Sequence, residues 1–157
     1  MASKKAEIKC SRIFYDENSD NEDPILTGRR AYEISQYAKN MTHDLGYEIQ
    51  KIRKAKGFSQ LELSEKALLN EKTVRRIENG ETNNVKIGTL ISICVALELC
   101  PYISRQLLFN NGYSLTPNSK LNVLYALIID EYFKYGIYRC NELLKTNGFA
   151  GLSRKEE

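Results

Sequence analysis

From Asp44 onward, apolar and polar positions alternate as they do in a succession of short amphipathic helices. Leu45, Ile49 and Ile52 recur at i, i+4 and i+7, one face of an α-helix, and Gly57 supplies its stop. Ser59 stands where a second helix needs its N-cap. Glu62, three residues on, completes a capping box, with Leu63 and Ala67 as the inward positions. After a break at Leu68-Leu69, Asn70 is placed to cap a third helix. Val74 and Ile77 turn that helix inward, and Asn79-Gly80 ends it. Ile87, Leu90, Ile91, Cys94 and Leu97 form the stripe of a fourth helix. Pro101 suits the first turn of a fifth, which Asn110-Asn111-Gly112 closes.

The flanks differ in character. Thr27 is the expected N-cap of a helix from Gly28 to Asn40, with Ala31, Ile34, Tyr37 and Ala38 on one face. The run from Asp16 to Pro24 is too polar to bury apolar surface, so the N-terminal extension is expected to be partly disordered. Ile8, Ile13, Phe14 and Tyr15 have no docking place that the pattern reveals. Ser119 is placed to cap a helix reaching Lys134 that is apolar almost all round, from Leu121, Val123 and Leu124 to Tyr132 and Phe133. Such a helix needs cover on several sides, and a neighbouring helix or a second subunit could each supply it. A last helix is expected from Ile137 to Thr146, with Gly148 past its end and a charged terminus at Glu156 and Glu157. The pattern predicts an all-α chain in three parts: an extension over 1–44, a five-helix unit over 45–111 and a C-terminal helix pair over 112–157.

Composition narrows the chemistry. The chain of 157 residues is 42% hydrophobic and 27% charged, as in soluble globular proteins, and can bury a core without help from a metal. The start, Met1 to Cys10, is polar and lacks the apolar stretch of a signal peptide. The greasiest stretch, Ile87 to Leu99, is interrupted by Gly88, Thr89, Ser92 and Glu98 and is too short to span a bilayer. These features predict a cytoplasmic protein. Cys10, Cys94, Cys100 and Cys140 are widely spaced and His43 is the one histidine, so no zinc-ligand pairs form. The thiols read as buried and reduced. There is no Gly-rich phosphate loop, no supported pair of carboxylates and no nucleophile elbow. We therefore expect no enzyme activity, no metal and no cofactor.

Charge adds a location. Net charge is +3, and residues 45–110 carry 10 Lys/Arg against 7 Asp/Glu, whereas the two flanks are close to neutral. A phosphate backbone would be drawn to the middle segment. On a helical wheel Glu71, Lys72, Arg75, Arg76 and Asn79 cluster opposite Val74 and Ile77. Two short helices joined by a tight turn let the second enter the major groove, which at about 12 Å admits one helix. There Lys72, Arg75 and Arg76 can reach phosphates or guanine edges, and Asn79 phosphate or adenine. Gln60, opening the second helix, is placed to grip a phosphate. Glu78, the charge nearest the inward side of the third helix, needs a partner unless it reaches water.

Several separated stretches resemble one family. Ile52-Arg53, Phe58-Ser59-Gln60, Leu63-Ser64-Glu65-Lys66-Ala67, Lys72-Thr73-Val74-Arg75-Arg76-Ile77-Glu78-Asn79-Gly80 and the run from Ile87 to Leu99 with Ala96-Leu97 look like Cro/CI-type, or XRE-like, helix-turn-helix regulators. The likeness covers roughly 60 residues in independent segments, far more than a lone motif. It implies a lambda-repressor-like five-helix bundle that binds double-stranded DNA, as a homodimer in most members. By position it implies DNA contact from Ser59, Gln60, Asn70, Glu71, Lys72, Thr73, Arg76 and Asn79, and an ion pair between Arg53 and Glu78. The segment from Gly112-Tyr113-Ser114-Leu115 to Gly148 is similar to accessory tails on some bacterial XRE-like regulators, which brings no assigned chemistry.

Departures from the family pattern are specific. Leu68 stands where the turn usually has Gly, so it must avoid left-handed dihedrals or carry strain. Ser64 replaces a small Ala. Lys86 replaces a capping Ser, with Asn84 near enough to compensate. Glu71 puts an acid where bases would lie, able to accept from cytosine or to lower general affinity. The expected function is a transcription regulator acting by occupancy, hence a repressor. The alternative is a protein-interaction adaptor or antitoxin-like partner on the same scaffold.

Overall fold

A computed structural model describes residues 13–17, 23–82 and 84–153. The expectations for Ile8, Cys10, the middle of the acidic run and the Glu156-Glu157 terminus lie outside these residues. Among them the chain forms eight α-helices and no strand beyond a single bridge.

Helix α1 spans Pro24–Lys39. It begins earlier than Thr27 allows. Asp23 is the cap, its carboxylate accepting from Ile25 N at 2.8 Å. Pro24 at the first helical position has no N–H to satisfy and a φ already set for the helix, so the Asp-Pro step outcompetes Thr27.

The next three helices build the turn. Helix α2 spans Leu45–Lys56; Asp44 caps it from the Tyr47 N–H, and Gly57 ends it at φ 81°. Helix α3 spans Gln60–Ala67, where Ser59 Oγ accepts from Glu62 N at 3.0 Å and the Glu62 carboxylate returns to Ser59 N. Helix α4 spans Glu71–Glu78. Between α3 and α4, Leu68 takes φ 53° and ψ 43°. Of the two outcomes open to it, Leu68 adopts the left-handed geometry a glycine would supply and carries the strain, of order 1–2 kcal/mol.

Helix α5, Ile87–Ala96, is the keel. Residues Leu90 to Ala96 are buried without a break, and the helix packs on α3, on α6 (Pro101–Asn110), on α7 (Lys120–Asp130) and on α8 (Ile137–Thr146). Its N-cap Lys86 makes no side-chain cap bond, nor does Asn84 supply one. Helix α7 ends at Asp130 rather than at Lys134. The chain tightens into a 3-10 turn over Tyr132–Tyr135 before Gly136 reverses it at φ 88°. That turn drives Phe133 into the core, edge-on to Tyr15 at 5.5 Å.

Both flanks join one continuous core with the middle segment. Ile13 and Phe14 are buried where the chain runs antiparallel to the α5–α6 junction. Tyr15 N donates to Glu98 O, and Cys100 N to Ile13 O, both at 2.7 Å. At the other end Leu152 N donates to the buried Asn141 Oδ1 at 2.8 Å. The terminal segment then lies so close to α5 that a Cβ on Gly88 would stand 2.8 Å from Leu152 O. The face of α7 formed by Leu124, Ile128 and Ile129 is covered within the chain; Val123 and Leu127 remain exposed.

Candidate nucleic-acid interface

Helix α4 is held by little apolar surface. Val74 and Ile77 are its two buried apolar side chains, set against α3 and α2. Burying two such side chains yields about 3–6 kcal/mol, modest for an element that must keep a fixed position. Polar contacts complete the attachment. Arg53 of α2 meets Glu78 fork to fork, Nε to Oε2 at 2.9 Å and Nη2 to Oε1 at 2.8 Å, with side chains only 9% and 1% exposed. Its remaining arm, Nη1, donates to Phe58 O at 2.8 Å, fixing the approach to α3. Gln60 Nε2 reaches Glu78 Oε1 at 3.4 Å. One carboxylate thus ties together the end of α2, the start of α3 and the end of α4. A buried pair of this kind is weak evidence for net stability, but it specifies one arrangement because half of it cannot survive alone.

Gly46 is the second fixing point, and the sequence pattern does not single it out. A Cβ there would stand 2.6 Å from Glu78 O and collide with Ile77 O as well. The first turn of α2 therefore lies directly on the last turn of α4. The signal available in the sequence was a glycine in the first turn of a helix, where nothing in the helix itself requires one.

The opposite side of α4 is open. Lys72, Arg75, Arg76 and Asn79 are exposed, Thr73 is half-buried, and Glu71 lies in the first turn. Glu71 Oε1 is 3.4 Å from Arg75 Nη2, one turn further on. Asn70 occupies the N-cap position but its side chain makes no cap bond, so its amide and the first N–H groups of α4 are available to an outside acceptor. At α3, Ser59 spends a lone pair on the capping box and keeps its hydroxyl proton to donate. Gln60 keeps one amide N–H beyond its contact with Glu78. The arrangement offers donors and cations along one side of two short helices: chemistry that suits phosphate oxygens and base acceptors.

Thiol chemistry finds no support. Burial pushes Cys94 and Cys140 up to about 12 and raises Cys100 too, so these thiols stay protonated and inert at neutral pH. Among the described residues no group of His, Cys, Asp and Glu could hold a metal ion, and no helix is long and apolar enough to cross a membrane.

Residues 49–102 match a helix-turn-helix family model, of the XRE or Cro/CI type. The matched span runs from within α2 to the first turn of α6. The match supports a DNA-binding helix-turn-helix domain over this segment, and the all-α fold is consistent with a lambda-repressor-like architecture. No curated protein and no solved structure matches the chain.

Proposed function

We propose that the chain uses its Cro/CI-type helix-turn-helix domain to bind double-stranded DNA sequence-specifically, inserting α4 into the major groove and repressing transcription by occupancy. The observation that carries this reading is the division of α4 into two buried anchors and an exposed row of Lys72, Arg75, Arg76 and Asn79. Lys72, Arg75 and Arg76 reach guanine edges or phosphates, and Asn79 adenine or phosphate. Ser59, Gln60, Asn70 and Thr73 donate to phosphates on either side and fix the register, while Glu71 faces the bases from the first turn of α4. The protein acts in the cytoplasm, where its DNA is.

A homodimer completes the proposal. One helix-turn-helix reads too few base pairs for useful specificity, so a two-fold repeat of half-sites is the geometry that serves it. Exposed apolar side chains outside the DNA face, Val123 and Leu127 on α7 and Phe109 on α6, are the surface a second copy would cover.

The test is a mobility shift of duplex DNA at rising salt. Several phosphate contacts require affinity to fall steeply, with a log–log slope of about −0.9 per phosphate neutralised. Sequence selection from random duplex should yield a two-fold-symmetric site. No binding at low salt would overturn the reading and leave the scaffold as a protein-interaction module.

A further inference from the structure

We infer that Glu71 is a specificity-determining residue that acts through Arg75: it holds the guanidinium as a guanine reader and keeps it off the phosphates. This rests on the DNA-binding reading above and deepens it.

The argument starts from where an acid can stand on such a surface. A free carboxylate facing the major groove meets phosphates nearby and base acceptors ahead, and loses water as the groove closes. Glu71 is not free. Its Oε1 lies 3.4 Å from Arg75 Nη2, in the i, i+4 order that helices favour, with the acid toward the N-terminus. The acid also helps to hold an eight-residue helix whose N-cap, Asn70, makes no side-chain bond.

The consequence for Arg75 is geometric and electrostatic. Its side chain is drawn toward the N-terminal turn of α4, the end that meets base edges in this docking geometry. Nη2 faces the carboxylate and the rest of the fork stays available, and guanine O6 and N7 accept two such N–H groups. The pair is neutral as a unit, so Arg75 adds little phosphate attraction. Lys72 and Arg76 share the exposed face but have no ion pair of this kind among the described contacts, so they supply the salt-dependent part of binding. Glu71 thereby trades general affinity for discrimination.

The experiment compares wild type, Glu71→Gln, Arg75→Ala and the double variant. Each is titrated against a duplex selected by the wild-type protein, and against duplexes changed at one base pair at a time, over a range of salt. Circular dichroism melting of every variant reports that α4 stays folded. The expected result is one guanine position per half-site where the wild type discriminates by ~10-fold or more. Arg75→Ala abolishes that discrimination, and Glu71→Gln weakens it while tightening binding to unrelated duplex. The salt slope for Glu71→Gln should steepen by about one unit as Arg75 turns to a phosphate. Glu71→Gln with unchanged discrimination and unchanged slope overturns the inference. So does a Glu71-dependent preference for cytosine that survives in Arg75→Ala, which would make Glu71 a direct reader. A wild-type protein that binds no duplex overturns the DNA-binding reading itself, and that outcome is visible before any variant is made.

Discussion

Helices α4 and α5 follow one another in the chain and are built on opposite terms. Seven of the ten residues of α5 are buried, against two of the eight in α4. In α5 almost any polar replacement would leave a group without water or partner. In α4 Lys72, Arg75 and Arg76 are exposed, and the helix is placed by Val74, Ile77, the close approach at Gly46 and the Arg53–Glu78 fork. The difference teaches how one small domain can keep its shape while its exposed row varies. Position is delegated to a few buried atoms, which leaves the outward side chains free to be chosen for what they touch.

The comparison breaks most visibly at Glu78. Glu78→Ala strands a buried guanidinium and is expected to cost about 3–5 kcal/mol in chemical denaturation, as much as a core cavity. A loss below 1 kcal/mol would mean that the two apolar anchors alone hold α4. Leu90→Ala in α5 should cost about 2–5 kcal/mol by the same measurement, through lost burial and an unfilled cavity. Lys72→Ala combined with Arg76→Ala should change stability by no more than about 0.5 kcal/mol. The same variant should flatten the salt slope of DNA binding by nearly two units, and an unchanged slope would move the binding face elsewhere. The smallest effect belongs to the turn. Leu68→Gly relieves left-handed strain but gives up a half-buried side chain, so the two terms nearly cancel and stability should shift by less than about 1 kcal/mol. A large loss would show that Leu68 is a packing residue first.

Legibility followed the range of the interaction. The capping box at Ser59 and Glu62, the Gly57 stop and the Pro101 start each depend only on residues a few positions away in sequence, and these local features form as the pattern predicts. The start of α1 and the end of α7 did not emerge from the pattern. Two residue types competed at the first, and at the second an apolar run continued past the helix into the 3-10 turn that buries Phe133. No side-chain cap at Lys86 or Asn84 compensates at α5; the terminal segment folds back onto its first turn instead, which no local rule could say.

By itself the sequence determined the all-α class, the order of the helices and the two-faced character of α4, because periodicity and capping depend on neighbours in the chain. Tertiary structure decided the rest. It seats Ile13 and Phe14 against the α5–α6 junction and closes the C-terminal segment over Gly88. It presses Gly46 onto the end of α4 and forces Leu68 into a left-handed turn. Each of these depends on backbones from distant parts of the chain meeting at contact distance, and that follows from how the whole core closes rather than from any window of residues.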